Sequence, residues 1–422
     1  MRELNRFFYL VKTAMPCENM HRMKRITLFA STLLAALVGT AFAADTAEPS
    51  KDEPRGEATI PHLRKPPRPS SKLLNLPPVE ANKPRIDIDT FLAWPKEVGD
   101  AQVALWRGNA IGALSLTNDD NHWARDPRWL EISEKYPAIK MTQFVHGPTE
   151  KVSEEDKAAW RKLVELGHEV QAHTYTHPSA ARWDELTVEE MRRELEGPIR
   201  LIEEAIPGHK VIVNAGCPPK WPQLHADHYA ANRASAGFPN RADIVDYMRT
   251  ASYSGMVNPT IPRHGPNTST EAIVKSLYDT DYTFWGHKYH GAWSCVHFHG
   301  FGPQGELEGI LDEFILPAQK ENKIWVARFS DVILYAQSRD TSKLELTRNK
   351  PTEIAFVLTD LMDDEIYNRP LTIKVRVPDD WKTVTAKQAD KPIEAKLVEH
   401  EGKKFAFVEA VPDRGETVIT PQ

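Results

Sequence analysis

Residues 141–177, MTQFVHGPTEKVSEEDKAAWRKLVELGHEVQAHTYTH, read as strand, helix, strand and loop. Met141 to Val145 is a short apolar run of strand length. Ser153 followed by Glu154, Glu155 and Asp156 is a helix-start signature, and Ala158, Trp160, Leu163, Val164 and Leu166 recur at helical spacing until Gly167 stops them. Glu169 to Ala172 predicts the next strand. The chain leaves it through His173-Thr174-Tyr175-Thr176-His177-Pro178. Two strands joined by a helix predict parallel neighbours, because parallel pairing needs a long crossover.

The same alternation extends in both directions. Ala113 to Leu116, Val211 to Val213, Trp293 to Phe298 and Ile324 to Ala327 are further strand-like runs. Thr187-Val188-Glu189-Glu190 opens a helix toward Ile206 as a capping box, and another helix is expected from about Leu307 to Lys320. The class is therefore α/β, a parallel sheet or barrel, with functional residues at the carboxyl ends of the strands. After Ser338 the pattern changes to short alternating runs: Lys343 to Thr347, Glu353 to Leu358, Leu371 to Val377, Ala395 to Val398, Lys404 to Glu409 and Thr417 to Thr420. Turn clusters such as Pro412-Asp413-Arg414-Gly415 separate them, which predicts a small all-β, sandwich-like domain over residues 339–422. The α/β domain is expected over residues 94–338.

The 422 residues leave room for two domains and a processed leader. Residues 1–43 read as a secretory signal: basic Met23-Lys24-Arg25, an apolar run from Ile26 to Val38, and the cleavage pattern Ala41-Phe42-Ala43. The stretch before Met23 is long for such a leader, and Met23 is a second candidate start. Residues 44–93 are rich in Pro, Lys and Ser and read as a linker. No later stretch reaches transmembrane length. The expected destination is periplasmic or extracellular. A net charge of −6 argues against a nucleic-acid partner. Beyond the leader the cysteines are Cys217 and Cys295, either one disulfide or two separate thiols.

The chemistry-bearing residues lie just past predicted strands. Asp119 and Asp120 follow the first, His173 and His177 the third, and His299 a later one. Two carboxylates and two imidazoles are what a single divalent ion and an activated water require. Pro178 disfavours helical geometry at His177, which puts the histidine pair on a loop. Asp120, His173 and His177 make a ligand set for a divalent ion, zinc by preference. Asp119 is then the general base, although spacing alone does not fix the order of the two aspartates. His299 is placed to act as general acid, and His297 reads as a core or supporting histidine. His225 with His228, and His287 with His290, are weaker ligand pairs without a strand and a carboxylate behind them. Trp123, close behind the aspartates, is a candidate for stacking on a sugar ring, whereas Trp285 and Trp293 read as core or groove residues.

These residues resemble those of the polysaccharide deacetylases with a NodB-type domain, carbohydrate esterase family 4. Thr117-Asn118-Asp119-Asp120 is similar to the family's first motif, usually Thr-Phe-Asp-Asp, whose first Asp is the base and whose second binds metal. His173 through His177 is similar to the second motif, where both histidines bind metal. Phe298-His299-Gly300 resembles the last motif, which carries the catalytic acid. The resemblance spans roughly residues 100 to 338 and implies a distorted (β/α) barrel with fewer strands than the standard eight. It also implies removal of N- or O-linked acetyl groups from a polysaccharide or oligosaccharide. The third motif, commonly Arg-Pro-Pro-Tyr, has Gly216-Cys217-Pro218-Pro219-Lys220 as its counterpart, with no arginine. A backbone N–H at Lys220 is the implied oxyanion donor, and Arg233 is a candidate for the missing positive charge. Two other readings stand beside this one: a non-catalytic metal- or glycan-binding module on the same fold, and a metal-dependent hydrolase of another non-peptide C–N bond.

Overall fold

The computed structural model describes residues 84–148, 151–216, 222–234, 237–254 and 269–422. The expected leader, residues 44–83 of the Pro-rich segment, Cys217 and Lys220 lie outside these residues. Among the described residues no helix is long and apolar enough to cross a membrane.

The strands in chain order begin with β1 (Ala101–Val103), β2 (Gly112–Asp119), β3 (Thr142–Val145), β4 (Glu169–Ala172) and β5 (Val213–Ala215). They continue with β6 (Ala231–Arg233), β7 (Tyr253–Ser254), β8 (Trp293–Phe298) and β9 (Ile324–Val326). Apart from β1, all of these join one parallel sheet in the order β6-β5-β4-β3-β2-β8-β7. β2 is its centre. β8 lies along one edge of β2, while β3 takes the carboxyl half and β9 the amino half of the other edge. A parallel bridge between Arg233 and Thr250 brings the two ends of the sheet round to each other. The result is a distorted barrel in which every residue of β2, β3, β4 and β8 is buried, as both-sided cover of a parallel sheet demands.

Val211 and Ile212 stand outside the ladder, and β5 starts later than the apolar run suggests. The amides of Val211 and Ile212 are taken by the side chains of Glu203 and Gln171 instead of the backbone of a neighbouring strand. The helix expected from Leu307 to Lys320 is present but widens to a π-helical turn over Leu311–Ile315. Pro317 follows that turn and has no N–H to give back, a common cause of such a bulge.

The remaining strands are β10 (Lys343–Lys350), β11 (Glu353–Thr359), β12 (Leu371–Arg376), β13 (Val384–Gln388), β14 (Lys391–Ile393), β15 (Ala395–His400), β16 (Lys403–Ala410) and β17 (Glu416–Pro421). They form two antiparallel sheets, β1-β12-β16-β15 and β10-β11-β17-β13-β14. β1 comes from the chain ahead of the barrel, and Ala101 pairs with Val375 of β12. Helix Phe329–Thr341 is buried along nearly its whole length between barrel and sheets. Tyr335 donates its hydroxyl to Ala104 O at 2.9 Å, and Gln337 joins Ala230 O of the barrel side to Tyr367 of the β region. One hydrophobic cluster accordingly runs from Ala113 and Cys295 of the barrel to Ile354 and Phe356 of the sheets.

His168, between the helix stop and β4, is buried and makes two hydrogen bonds. Its Nδ1 accepts from Met141 N at 3.0 Å, so Nε2 carries the proton and donates to Ser133 Oγ at 2.8 Å. Burial pushes this imidazole down to about 3. Unfolded His168 takes up a proton as pH falls below about 6.5 and the folded form does not, so stability is lost on the way down. Between pH 7 and pH 4 this one group accounts for about 3 kcal/mol, at 1.36 kcal/mol per pH unit. Gln at this position can make both hydrogen bonds without titrating. Urea denaturation of His168→Gln at the two pH values should show a drop smaller than that of the unaltered chain by about this amount. Equal drops would contradict the assignment.

Candidate active site

The carboxyl end of β2 carries Thr117, Asn118 and Asp119, and Asp120 turns the chain with φ +72°. Thr174 and His177, in the loop after β4, also have positive φ, +60° and +53°. Such conformations cost roughly 1–3 kcal/mol each in a non-glycine residue and persist where surrounding contacts impose them. All three lie in one place. Among the described residues, one donor atom from each of Asp120, His173 and His177 lies within 4.8 Å of the other two.

The neighbours set the protonation state of each candidate. His173 is buried, and its Nδ1 lies 3.0 Å from Ala215 O. A carbonyl can only accept, so Nδ1 is the protonated nitrogen and Nε2 presents its lone pair. That Nε2 lies 3.8 Å from Asp119 Oδ2 and 3.9 Å from Asp120 Oδ1. Burial brings His173 down to about 4 and also lowers His177, so both rings are neutral near pH 7, the form that binds metal. Asp120 Oδ1 is buried with no well-aligned hydrogen bond. One carboxylate and two neutral imidazoles converging on one point fit a divalent ion of the zinc type.

Asp119 is 3% exposed and differently placed. Burial pushes its carboxyl up, but Arg233, with His173 and His297, more than offsets this and holds it below the usual range. Arg233 Nη2 donates to Asp119 Oδ2 at 2.6 Å, and its guanidinium lies 4.9 Å from the centre of the Phe144 ring. Asp119 Oδ1 accepts no hydrogen bond from any described residue. An arginine is therefore paired with the first aspartate, supplied by β6.

His299 stands on the open side, half exposed, with Nε2 3.8 Å from Asp120 Oδ2. The turn behind it is fixed by Asn118, whose Oδ1 accepts from Gly300 N at 2.8 Å while its Nδ2 donates to Gln143 Oε1. Trp123 lies against Gly300, where an added Cβ would meet the ring at 2.5 Å. The indole and His299 thus share one rim. His297 is buried and its Nδ1 donates to Ser252 Oγ at 2.9 Å, since that hydroxyl gives its own proton to Ala234 O.

His146 is a fourth imidazole at the site, and the sequence reading passed over it. Its Nε2 lies 3.3 Å from Asp120 Oδ1, and its ring centre is 4.8 Å from that of His177. It stands directly behind the strand ending at Val145, the same position rule that singles out His173 and His299.

Other candidates lie elsewhere. His225 packs edge-on to Trp183, and His228 Nε2 is 3.6 Å from Glu196 Oε1. Trp293 is buried and bonded to Ser115, while Trp285 is 41% exposed and packs edge-on to Phe238. Cys295 is buried, has no disulfide partner among the described residues, and its thiol is pushed up to about 12 by burial.

Residues 109–220 match the family model described as polysaccharide deacetylase. A gellan lyase of a Bacillus species is 34% identical over 375 residues, which cover 83% of this chain and 14% of that protein's length. Three solved structures are similar at lower identity. The Xyl-CE4 domain of a multidomain xylanase from the hindgut metagenome of Trinervitermes trinervoides is 17% identical, with 53% of this chain and 90% of that chain covered and a TM-score of 0.31. A family 4 acetyl xylan esterase from Clostridium thermocellum is 16% identical, covering 52% and 89%, with a TM-score of 0.33. BA3943, a CE4 family pseudoenzyme from Bacillus anthracis, is 18% identical, covering 52% and 65%, with a TM-score of 0.32.

Proposed function

We propose that the chain, which carries a NodB-type polysaccharide deacetylase domain, is an exported hydrolase that removes acetyl groups from a carbohydrate polymer with the help of one divalent ion. The observation that carries this is the division of labour between adjacent aspartates. Asp120 faces the two imidazoles, and Asp119 is bound to Arg233 through one oxygen only. A pure binding site needs no second carboxylate held in this way.

Asp120, His173 and His177 would hold the ion, which supplies Lewis acidity to a water and to the acetyl carbonyl. Asp119 removes the proton from the attacking water through Oδ1, because Oδ2 is occupied by Arg233. Burial and the guanidinium fix the direction of that oxygen and keep the carboxyl ionised. The water oxygen adds to the carbonyl carbon. The C–N or C–O bond to the sugar then breaks as His299 gives a proton to the departing amine or hydroxyl, leaving acetate. The half-exposed position of His299 suits a group that must meet a polymer from solvent. Trp123, on the same rim, offers a face for a pyranose ring. The oxyanion donor read at Lys220 lies outside the described residues. The leader-like residues 1–43 support export, and the name of the gellan lyase relative supports a polysaccharide substrate.

The test is to purify the chain, measure bound metal, and follow acetate release from gellan, acetylated xylan, peptidoglycan and chitin oligomers. His173→Ala should bind zinc more than about 100-fold more weakly, beyond the range for loss of an outer hydrogen-bond partner, and acetate release should fall with it. Tight zinc binding without release from any substrate would favour a binding module. Release that does not depend on His173 would end the metal reading.

A further inference from the structure

The loop that carries His173 and His177 has no secondary structure of its own, yet its successive N–H groups from Thr174 to Thr176 each have a side-chain acceptor. Thr174 N donates to Asn214 Oδ1 at 3.0 Å. Tyr175 N and Thr176 N both donate to Glu194 Oε2, at 2.9 and 2.8 Å, and Thr176 Oγ1 donates to Glu194 Oε1 at 2.7 Å. Tyr175 O accepts from Gly147 N at 2.9 Å. Glu194 comes from helix Val188–Ala205 and is 5% exposed. Among the described residues it has no cationic partner, so three hydrogen-bond donors of the loop neutralise a buried carboxylate. One turn further along the helix Gly197 removes the last obstacle: a Cβ there would meet the Tyr175 ring at 2.5 Å. The loop therefore lies flat on the helix with Tyr175 as its anchor.

We infer that Glu194 is the positioning residue of the metal loop, setting the separation of His173 and His177 and with it the affinity for the ion. This rests on the metal reading above. The two strained residues, Thr174 and His177, bracket the peptide groups that Glu194 holds. Without that carboxylate the loop can relax toward ordinary φ values and carry His177 away from His173. His173 keeps its own support through Ala215 O, so the loss falls on the pairing of the two rings and not on the barrel.

Zinc titrations of the full chain, the Glu194→Gln and Thr176→Val variants and Glu196→Gln decide the matter, with the thermal midpoint of each metal-free protein recorded. Thr176→Val removes one hydrogen bond from the carboxylate and leaves the helix untouched, which keeps the test valid if Glu194→Gln does not fold. Expected are a 10- to 100-fold rise in Kd for Glu194→Gln, the range for outer partners of metal ligands, a smaller rise for Thr176→Val, and none for Glu196→Gln. The Co(II) absorption spectrum of Glu194→Gln should also shift, a change that a general loss of stability does not produce. Unchanged zinc affinity in both loop variants overturns the inference and leaves the metal reading standing. An unaltered chain that binds no zinc overturns the metal reading, and this inference with it.

Discussion

Asp119→Asn is expected to lower the rate of acetate release by about 10²–10⁴-fold while zinc remains bound, the range for loss of a positioned general base. The amide keeps the shape of the side chain and loses its basicity. The three residues proposed to hold the ion are unchanged, so metal content separates this variant from His173→Ala. The replacement also leaves Arg233, 4% exposed, without its anion. A lower unfolding midpoint is therefore expected as well, and rates should be compared at a temperature where both proteins are folded. A rate within a few-fold of the unaltered chain, with zinc bound, would remove Asp119 from the role of base.

The second large effect concerns the other half of that pair. Arg233→Met should lower stability by about 3–5 kcal/mol, because it leaves a buried carboxylate uncompensated, and it should lower acetate release by freeing Asp119 to turn. Urea denaturation measures the first effect and steady-state kinetics the second. The double variant Asp119→Asn with Arg233→Met is the informative control. Removing both charges together relieves the unpaired ion, so its stability should exceed that of the Arg233→Met single variant while its activity stays low. Additive losses of stability in the double variant would mean that the 2.6 Å contact contributes little to the fold.

The pattern of the sequence carries the central strands because they are buried on both faces and rich in apolar residues, as β8 is with Trp293, Cys295, Val296 and Phe298. It does not carry β6 and β7, of three and two residues, because Ala231-Asn232-Arg233 and Tyr253-Ser254 hold one apolar residue each and form no apolar run. Arg233 sits at the end of β6 for that reason without a strand to announce it. The β13–β14 hairpin, Val384–Gln388 with Lys391–Ile393, is half polar and lies at a sheet edge, where little burial shapes the composition. His146 was within reach, since it follows a strand already recognised. Asn118 was not. Its work is to join Gln143 and Gly300, which are distant in sequence, and nothing local to Asn118 tells of them. Glu194 is hidden for the same reason: on a helical wheel it is one more charged residue.

The pairing of β1 with β12 has a consequence for how the molecule is made. β1 leaves the ribosome before any barrel strand, and its partner emerges only after the whole barrel. Until then Ala101 to Val103 are an unpaired edge, and helix Phe329–Thr341 has no sheets to cover it. The layer over the barrel thus comes from chain that arrives last. Pairing between strands so far apart in sequence forms slowly, and a chain cut near Ser338 lacks β12 and leaves β1 without its partner.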